Sequence, residues 1–181
     1  FDQKRFLQSM LTNLDELSLM ARLHKVAEHL RFSLPGGYLE NLDTLKLLAP
    51  RLNKGFVTLI LPEYVAIYGG QHFDASLQSL KFFTPFGSSE FAVRHFLKQD
   101  LERTLKTMQE WSGDSNEHVR RLASEGSRPR LPWSFNLRQL MLDPQPVGPI
   151  LDNLRADPSL YVRKSVANHL NDITKDNPAW T

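Results

Sequence analysis

The sequence predicts an all-α fold in which paired helices stack into a curved solenoid. Apolar residues recur at helical spacing along almost all of the 181-residue chain. Short connections rich in Gly, Pro, Asp and Ser separate the helical segments. One motif returns after 43 residues, a period that is typical of helical-hairpin repeats. We therefore expect a single domain, residues 1–181, with enough chain for a proper core.

The helical segments follow one another from the N-terminus. The first three are predicted between residues 7 and 48 from their apolar stripes, and Pro50 ends the third. FVTLILPEYVAIYGG is the most strand-like passage, but it alternates poorly, so we predict a helix entered at Pro62 and closed by Gly69-Gly70. Later helices of roughly 9 to 16 residues are predicted in FDASLQSLKFFTPF, SEFAVRHFLKQ, LERTLKTMQEWS, NEHVRRLASEG, FNLRQLMLD, VGPILDNLRAD and SLYVRKSVANHLNDITKD.

The repeat is visible in two related segments. DSNEHVRRLASEG (residues 114–126) matches DPSLYVRKSVANH (residues 157–169), and in both an Asp-led turn precedes a helix that opens with Val-Arg. SSEFAVRHFLKQ (residues 88–99) resembles the second helix of the unit, with Val-Arg in register. A period of about 40 to 47 residues is typical of HEAT repeats, which bury their apolar sides by stacking. The predicted fold is a curved α-solenoid of HEAT-like repeats with a concave surface.

Composition excludes several functional classes. The chain has no cysteine, which excludes a disulfide scaffold, a Cys-ligated zinc site and a thiol nucleophile, and suits a reducing cytoplasm. It has no signal-peptide pattern and no apolar run of about 18 residues, so we predict no membrane span. The net charge of +2 is too small to argue by itself for nucleic acid. The chain has no Walker loop, G-x-S-x-G or H-E-x-x-H motif, and we expect neither a metal nor a cofactor.

The helix that contains SVANHLNDITKD has an unusual polar face. Asn and Asp are poor residues inside helices, because their short side chains compete for backbone hydrogen bonds. This face is either solvated surface near a C-terminal cap or a functional surface. We expect Asp172 to be exposed on it, so that Asp172→Asn changes the melting temperature little. The face consists of Tyr161, Ser165, Asn168, Asp172 and Lys175.

The segment HVRRLASEGSRPRLPW combines clustered arginines with a tryptophan. Gly126 is a candidate C-cap, and the following prolines place Trp133 on a rigid loop. Trp133 either joins a surface for nucleic acid or an aromatic ligand, or fills the seam between two repeats. Arg120 and Arg163 lie one repeat apart. They either contact spaced phosphates or form salt bridges with Asp114 or Asp157. We assign His169 and Trp111 to the packed interior.

The two C-terminal motifs, HVRRLASEGSRPRLPW and DPSLYVRKSVANHLNDITKDNP, resemble the signature of bacterial HEAT-like-repeat DNA alkylation repair glycosylases. Within that superfamily they resemble the AlkC branch more than AlkD, and FDASLQSL and SSEFAVRHFL also match the AlkC pattern. The resemblance extends over nearly the whole chain. Members of the family are considerably longer and often carry a C-terminal immunoglobulin-like domain, so we expect this chain to be part of a longer protein.

The resemblance implies a monofunctional glycosylase that excises cationic alkylated bases, such as N3-methyladenine or N3-methylcytosine, from duplex DNA in base excision repair. It implies stabilisation of an oxocarbenium sugar without base flipping, and assigns catalytic roles to Asp172, Trp133 and Glu90. We further expect a cytoplasmic monomer that needs no cofactor, membrane or obligate protein partner. The alternatives are a catalytically silent DNA-structure-binding paralogue and a protein-interaction scaffold. Candidate DNA contacts are Arg120, Arg121, Arg128, Arg130, Arg163, Lys164, Asn168 and Lys175.

Overall fold

A computed structural model describes residues 3–53 and 55–180, and within these ranges all regular secondary structure is helical. This confirms the all-α prediction. In the described ranges, four short 3-10 turns accompany the α-helices. The α-helices are α1 (Gln3–Leu11), α2 (Leu19–Ser33), α3 (Tyr38–Leu48), α4 (Ile60–Tyr68), α5 (Phe73–Phe83), α6 (Glu90–Gln99), α7 (Leu101–Trp111), α8 (Glu117–Gly126), α9 (Arg138–Leu142), α10 (Gly148–Leu154) and α11 (Leu160–Thr174).

The chain forms two compact units, Phe1–Ala92 and Val93–Thr181. In the first unit, α2 packs against α4, and α5 packs against α3 and α4. Stacked aromatic rings stabilise this core, since Tyr38 lies parallel to Tyr64 with ring centroids 5.9 Å apart. The Tyr38 hydroxyl also shares a hydrogen bond of 2.7 Å with the hydroxyl of Ser76. The phenol is therefore buried with its polar end satisfied.

The strand-like passage of the sequence is helical, as predicted. A 3-10 turn over Phe56–Leu59 leads directly into α4, which begins at Ile60. The helix thus starts two residues before Pro62. The proline occupies the first turn, where its missing N–H costs no helical hydrogen bond. Gly69 is the C-cap residue, as the sequence indicates.

In the second unit, α8 packs against α7, α10 and α11. The pairs α7–α8 and α10–α11 correspond to the repeated motif, and Trp111 is buried in the core as predicted. Gly126 is the last residue of α8 rather than its C-cap, which is Ser127. A Cβ atom at Gly126 would lie 2.5 Å from Cγ1 of Val93. The glycine is needed because α6 and α8 approach closely there.

Two helices of this unit are shorter than the sequence predicts. α9 has five residues and α10 has seven. α9 ends at Leu142 because Asp143 precedes a proline and takes an extended conformation. Within the described ranges, no helix is both long and apolar enough to span a membrane.

Candidate active site

Asp172 is buried, which corrects the expectation that it is exposed. Its exposed fraction is 2%. Ser165 lies two turns earlier on the same side of α11 and is also buried. Both side chains face α8 and the segment after it, because α8 is the partner against which α11 packs. Periodicity placed Asp172 correctly on a polar face, but Asp172 and Ser165 are buried on that face, while Tyr161, Asn168 and Lys175 are exposed.

Arg128 is the partner that accommodates the buried carboxylate. Its Nε donates to Oδ2 of Asp172 at 2.8 Å, and its Nη1 donates to Oε1 of Glu125 at 2.6 Å. Ser165 completes the chain of contacts by donating to the second oxygen of Glu125 at 2.6 Å. Burial acts to lower the pKa of the guanidinium, but the hydrogen bonds to Asp172 and Glu125 outweigh it and raise that pKa. Arg128 is therefore a permanent buried cation between two carboxylates.

The other oxygen of Asp172 has a different kind of partner. Nζ of Lys175 lies 3.3 Å from Oδ1. The Lys175 side chain is 60% exposed, whereas the Arg128 side chain is 10% exposed. Oδ2 of Asp172 is thus fixed by the buried guanidinium of Arg128, and Oδ1 contacts the flexible, exposed ammonium of Lys175.

A second arginine–aspartate pair joins the segment after α8 to the end of α11. Arg130 donates from Nε and Nη2 to the two oxygens of Asp176, at 2.9 and 2.7 Å. Arg128 and Arg130 thus pair with Asp172 and Asp176, which lie four residues apart on α11 and just after it. The two guanidinium groups also offset the unfavourable placement of acids at a helix C-terminus.

Trp133 is displayed by the same segment. It has a left-handed backbone conformation, with φ of 65°, and its exposed fraction is 78%. The exposure excludes the alternative in which Trp133 fills a seam between repeats, because such an indole would be buried. A non-glycine residue in this conformation costs energy, so the surrounding structure must hold it there.

Arg94 holds in place the segment between α8 and α9, which contains Trp133. Arg94 was not identified from the sequence as part of the site. Its side chain is fully buried. Nη1 donates to the main-chain oxygens of Gly126 at 3.0 Å and of Arg128 at 2.6 Å, and Nη2 donates to that of Phe135 at 2.5 Å. The guanidinium also lies 5.4 Å from the centre of the Phe135 ring. The only hint in the sequence is an arginine within the apolar pattern FAVRHF.

Glu90, the third predicted catalytic residue, is the first residue of α6. It is half-buried, and one of its carboxylate oxygens accepts a hydrogen bond of 2.5 Å from the Ser88 hydroxyl. A carboxylate in the first turn is favoured by the helix dipole. Glu90 belongs to the first compact unit, whereas Asp172 and Trp133 belong to the second.

Arg120 forms one of the salt bridges that the sequence left open. Its Nε and Nη2 donate to the carboxylate of Asp157 at 2.6 and 3.0 Å. The hydrogen bond from Arg120 is the main reason that the pKa of Asp157 is lowered. Arg163 donates from Nη1 to the main-chain oxygen of the same Asp157 at 2.5 Å. Arg121 lies 3.5 Å from Glu125 and 5.1 Å from the Tyr161 ring centre.

The candidate DNA contacts on α11 lie on its solvent-exposed side. This helix exposes a polar strip on the side opposite its core residues. The strip therefore carries cations and amides on a side of α11 that does not pack against α8. It consists of Arg163, Lys164, Asn168, Asn171 and Lys175.

His169 is packed inside the unit, as predicted. It is fully buried, and its Nδ1 bonds the main-chain oxygen of Ser124 at 2.9 Å. This contact requires a proton on Nδ1, because a carbonyl oxygen only accepts. Burial is the largest cause that lowers the pKa of His169 to about 3. Within the described part of the chain, no three His, Cys, Asp or Glu side chains are grouped to hold a metal.

Comparisons with known proteins include the following two strong similarities. The chain is 49% identical over 179 residues to the uncharacterised protein YhaZ of Bacillus subtilis (strain 168), covering 98% of this chain and 50% of that protein. It is 60% identical to the alkylpurine DNA glycosylase AlkC of Pseudomonas fluorescens, solved bound to DNA containing an abasic site analog. That match has a TM-score of 0.97 and covers 99% of this chain and 50% of the other. No protein-family model matches. The chain spans about half the length of both relatives.

Proposed function

The chain belongs to the AlkC-like branch of the HEAT-like-repeat DNA alkylation repair glycosylases, and from this premise we propose that it excises cationic alkylated bases from duplex DNA. The similarity to a glycosylase bound to abasic-site DNA carries the proposal, because an abasic site is what base release leaves behind. The partner is double-stranded DNA that contains an alkylated base. The proposed setting is base excision repair by a monomer in the bacterial cytoplasm.

The chemistry requires little activation of the leaving group. A purine methylated at N3 is already a cation, so its glycosidic bond is weak and the base leaves as a neutral molecule. The enzyme must stabilise the positive charge that develops on the deoxyribose and place a water molecule for attack. A carboxylate beside the sugar provides both effects, as in glycoside hydrolysis. We assign this role to Asp172, and the reaction requires no cofactor.

We assign Trp133 the role of stabilising the same positive charge on the deoxyribose. An indole face attracts a cation by about 2 kcal/mol when the pair is desolvated. The exposed side chain on its anchored segment offers such a face to a bound sugar without first leaving a core. We assign Glu90 the role of a second carboxylate that contributes negative potential or orients water. Because the chemistry acts on the sugar, the damaged base need not be flipped into a pocket.

We assign DNA binding to the exposed strip of α11. Lys164 and Lys175 carry exposed cations, and Asn168 adds an amide that can donate to a phosphate oxygen. Each phosphate neutralised in duplex DNA releases counterions, so log K falls with log salt by about 0.9 per contact. Neutral undamaged bases are poor substrates in this scheme, because no group is assigned to activate a neutral leaving group.

Release of free base from a methylated duplex tests the proposal. The assay compares this chain, its Asp172→Asn variant and the longest product of the same gene, with N3-methyladenine as the first lesion. We expect release by the unmodified protein and its loss in the variant. DNA binding without release by the longest product would instead indicate a silent DNA-binding paralogue. Neither binding nor release would indicate a protein-interaction scaffold.

A further inference from the structure

We infer that Arg128 is a positioning residue, which pins Oδ2 of Asp172 so that Oδ1 is the oxygen presented to the deoxyribose. The inference rests on the proposed function, in which Asp172 stabilises the sugar. It differs from the sequence-based hypothesis for the same residue, in which Arg128 contacts a DNA phosphate. The two hypotheses make opposite predictions for binding and for chemistry.

The Arg128 guanidinium is already occupied by two carboxylates within the protein. Nε is used by Asp172 at 2.8 Å and Nη1 by Glu125 at 2.6 Å. Only 10% of the side chain is exposed. A phosphate contact would have to withdraw the guanidinium from both carboxylates and leave two buried anions without it, which is unfavourable.

The Arg128 guanidinium and its partners are held rigidly. Glu125 is held on its far side by the hydroxyl of Ser165 at 2.6 Å. The main-chain oxygen of Arg128 itself is held by Nη1 of Arg94 at 2.6 Å. Arg128 is therefore fixed at its backbone and at both ends of its planar head. A planar guanidinium held in this way fixes the orientation of the carboxylate that it binds, whereas a flexible ammonium does not.

The two carboxylate oxygens of Asp172 are held differently. The terminal torsion of an aspartate is broad and nearly two-fold, so a free carboxylate samples many orientations. Fixing Oδ2 removes this freedom and sets the direction of Oδ1. The partner of Oδ1, Lys175, approaches only to 3.3 Å and has a 60% exposed side chain. A bound sugar can displace that flexible contact but not the buried one.

Single-turnover base release at saturating protein tests the inference with Arg128→Lys, which keeps the charge and removes the fork. We expect the rate to fall about 100-fold, the loss typical of a misplaced catalytic group. We expect the slope of log K against log salt to stay unchanged. Arg22→Lys is the control, because Arg22 also uses two nitrogens on acceptors within the protein, the main-chain oxygens of Leu17 and Asp15. Its rate should change by no more than about twofold.

Chemical rescue separates positioning from a general loss of folding. Arg128→Ala is assayed with methylguanidinium and, as a matched additive, with methylammonium, while its melting temperature is recorded in both. Recovery of the rate with methylguanidinium alone supports the inference. An unchanged rate in Arg128→Lys overturns it, and so does a salt slope reduced by about 0.9, which marks a phosphate contact. Absence of release by the unmodified protein overturns the proposed function together with the inference.

Discussion

Arg94 donates from Nη1 to the main-chain oxygen of Arg128 at 2.6 Å, across 34 residues of sequence. The same guanidinium also bonds the carbonyl groups of Gly126 and Phe135, and its side chain is fully buried. It thereby satisfies main-chain acceptors at the end of α8 and in the segment that follows, which has no regular secondary structure of its own to do so. Trp133 lies within that segment, so the shape of the surface around the indole depends on a side chain from α6.

Arg94→Met should lower the free energy of unfolding by about 3 kcal/mol, because it leaves buried carbonyl groups without a charged donor. Urea unfolding of the two proteins measures the difference. Arg103→Met is the matched control, since Arg103 is exposed on α7, and its effect should stay within about 0.5 kcal/mol. Equal losses in the two variants would show that Arg94 does not anchor the segment.

Asp172→Asn should be destabilising by about 2 kcal/mol or more, because the buried guanidinium of Arg128 loses a charged partner. This reverses the expectation from the sequence. Thermal unfolding is the measurement, and Asp152→Asn is the control, since that aspartate is exposed on α10. Equal melting temperatures for the two variants would restore the view that Asp172 is a surface residue. Base release must be compared at a temperature where every variant is folded.

Much of the fold follows from the sequence because it depends on local periodicity. The helical spacing, the prolines and the 43-residue repeat identify most helices, including α4 in its strand-like passage. The lengths of α9 and α10 were overestimated, and for α9 the reason is that Asp143 precedes Pro144 and leaves the helical conformation. The family resemblance supplied the candidate catalytic residues, which periodicity alone did not distinguish from an ordinary polar face.

The arginine cluster shows why the site was harder to predict. In sequence, HVRRLASEGSRPRLPW has a strong excess of positive charge, which favours a surface for nucleic acid. In the structure, three of these arginines form salt bridges with aspartates that lie 37 to 46 residues later in the chain. A pattern confined to one segment does not contain that information, because the pairing arises only when α8 and α11 pack together. The pairs are Arg120 with Asp157, Arg128 with Asp172 and Arg130 with Asp176.

Trp133→Gly should separate activity from stability. Glycine adopts φ of 65° without strain, while it also increases the entropy of the unfolded chain, so the free energy of unfolding should change by less than about 1 kcal/mol. Loss of the indole should slow base release by about 30-fold, the equivalent of a desolvated cation–π contact. Urea unfolding and single-turnover release measure the two quantities. A large loss of stability would mean that Trp133 packs within the protein.

His169 should make the protein less stable as the pH falls. Its pKa is about 3 in the folded protein and 6.5 for the ordinary side chain, so the unfolded chain binds a proton that the folded protein does not. The contribution of His169 is complete above pH 6.5 and is lost progressively as the pH falls towards about 3. Between neutral pH and about pH 5 the free energy of unfolding should decrease by about 2 kcal/mol from this group.

The variant His169→Asn isolates the effect of His169 from that of the carboxylates. The amide nitrogen of asparagine can replace Nδ1 as the donor to the main-chain oxygen of Ser124, but the side chain does not titrate. Urea unfolding across this pH range should therefore give a shallower pH dependence for the variant than for the unmodified protein. The salt bridge between Arg120 and Asp157 contributes equally to both proteins, and it is lost only at lower pH, because the pKa of Asp157 is lowered from 3.8. Parallel curves for the two proteins would mean that His169 titrates alike in the folded and unfolded states.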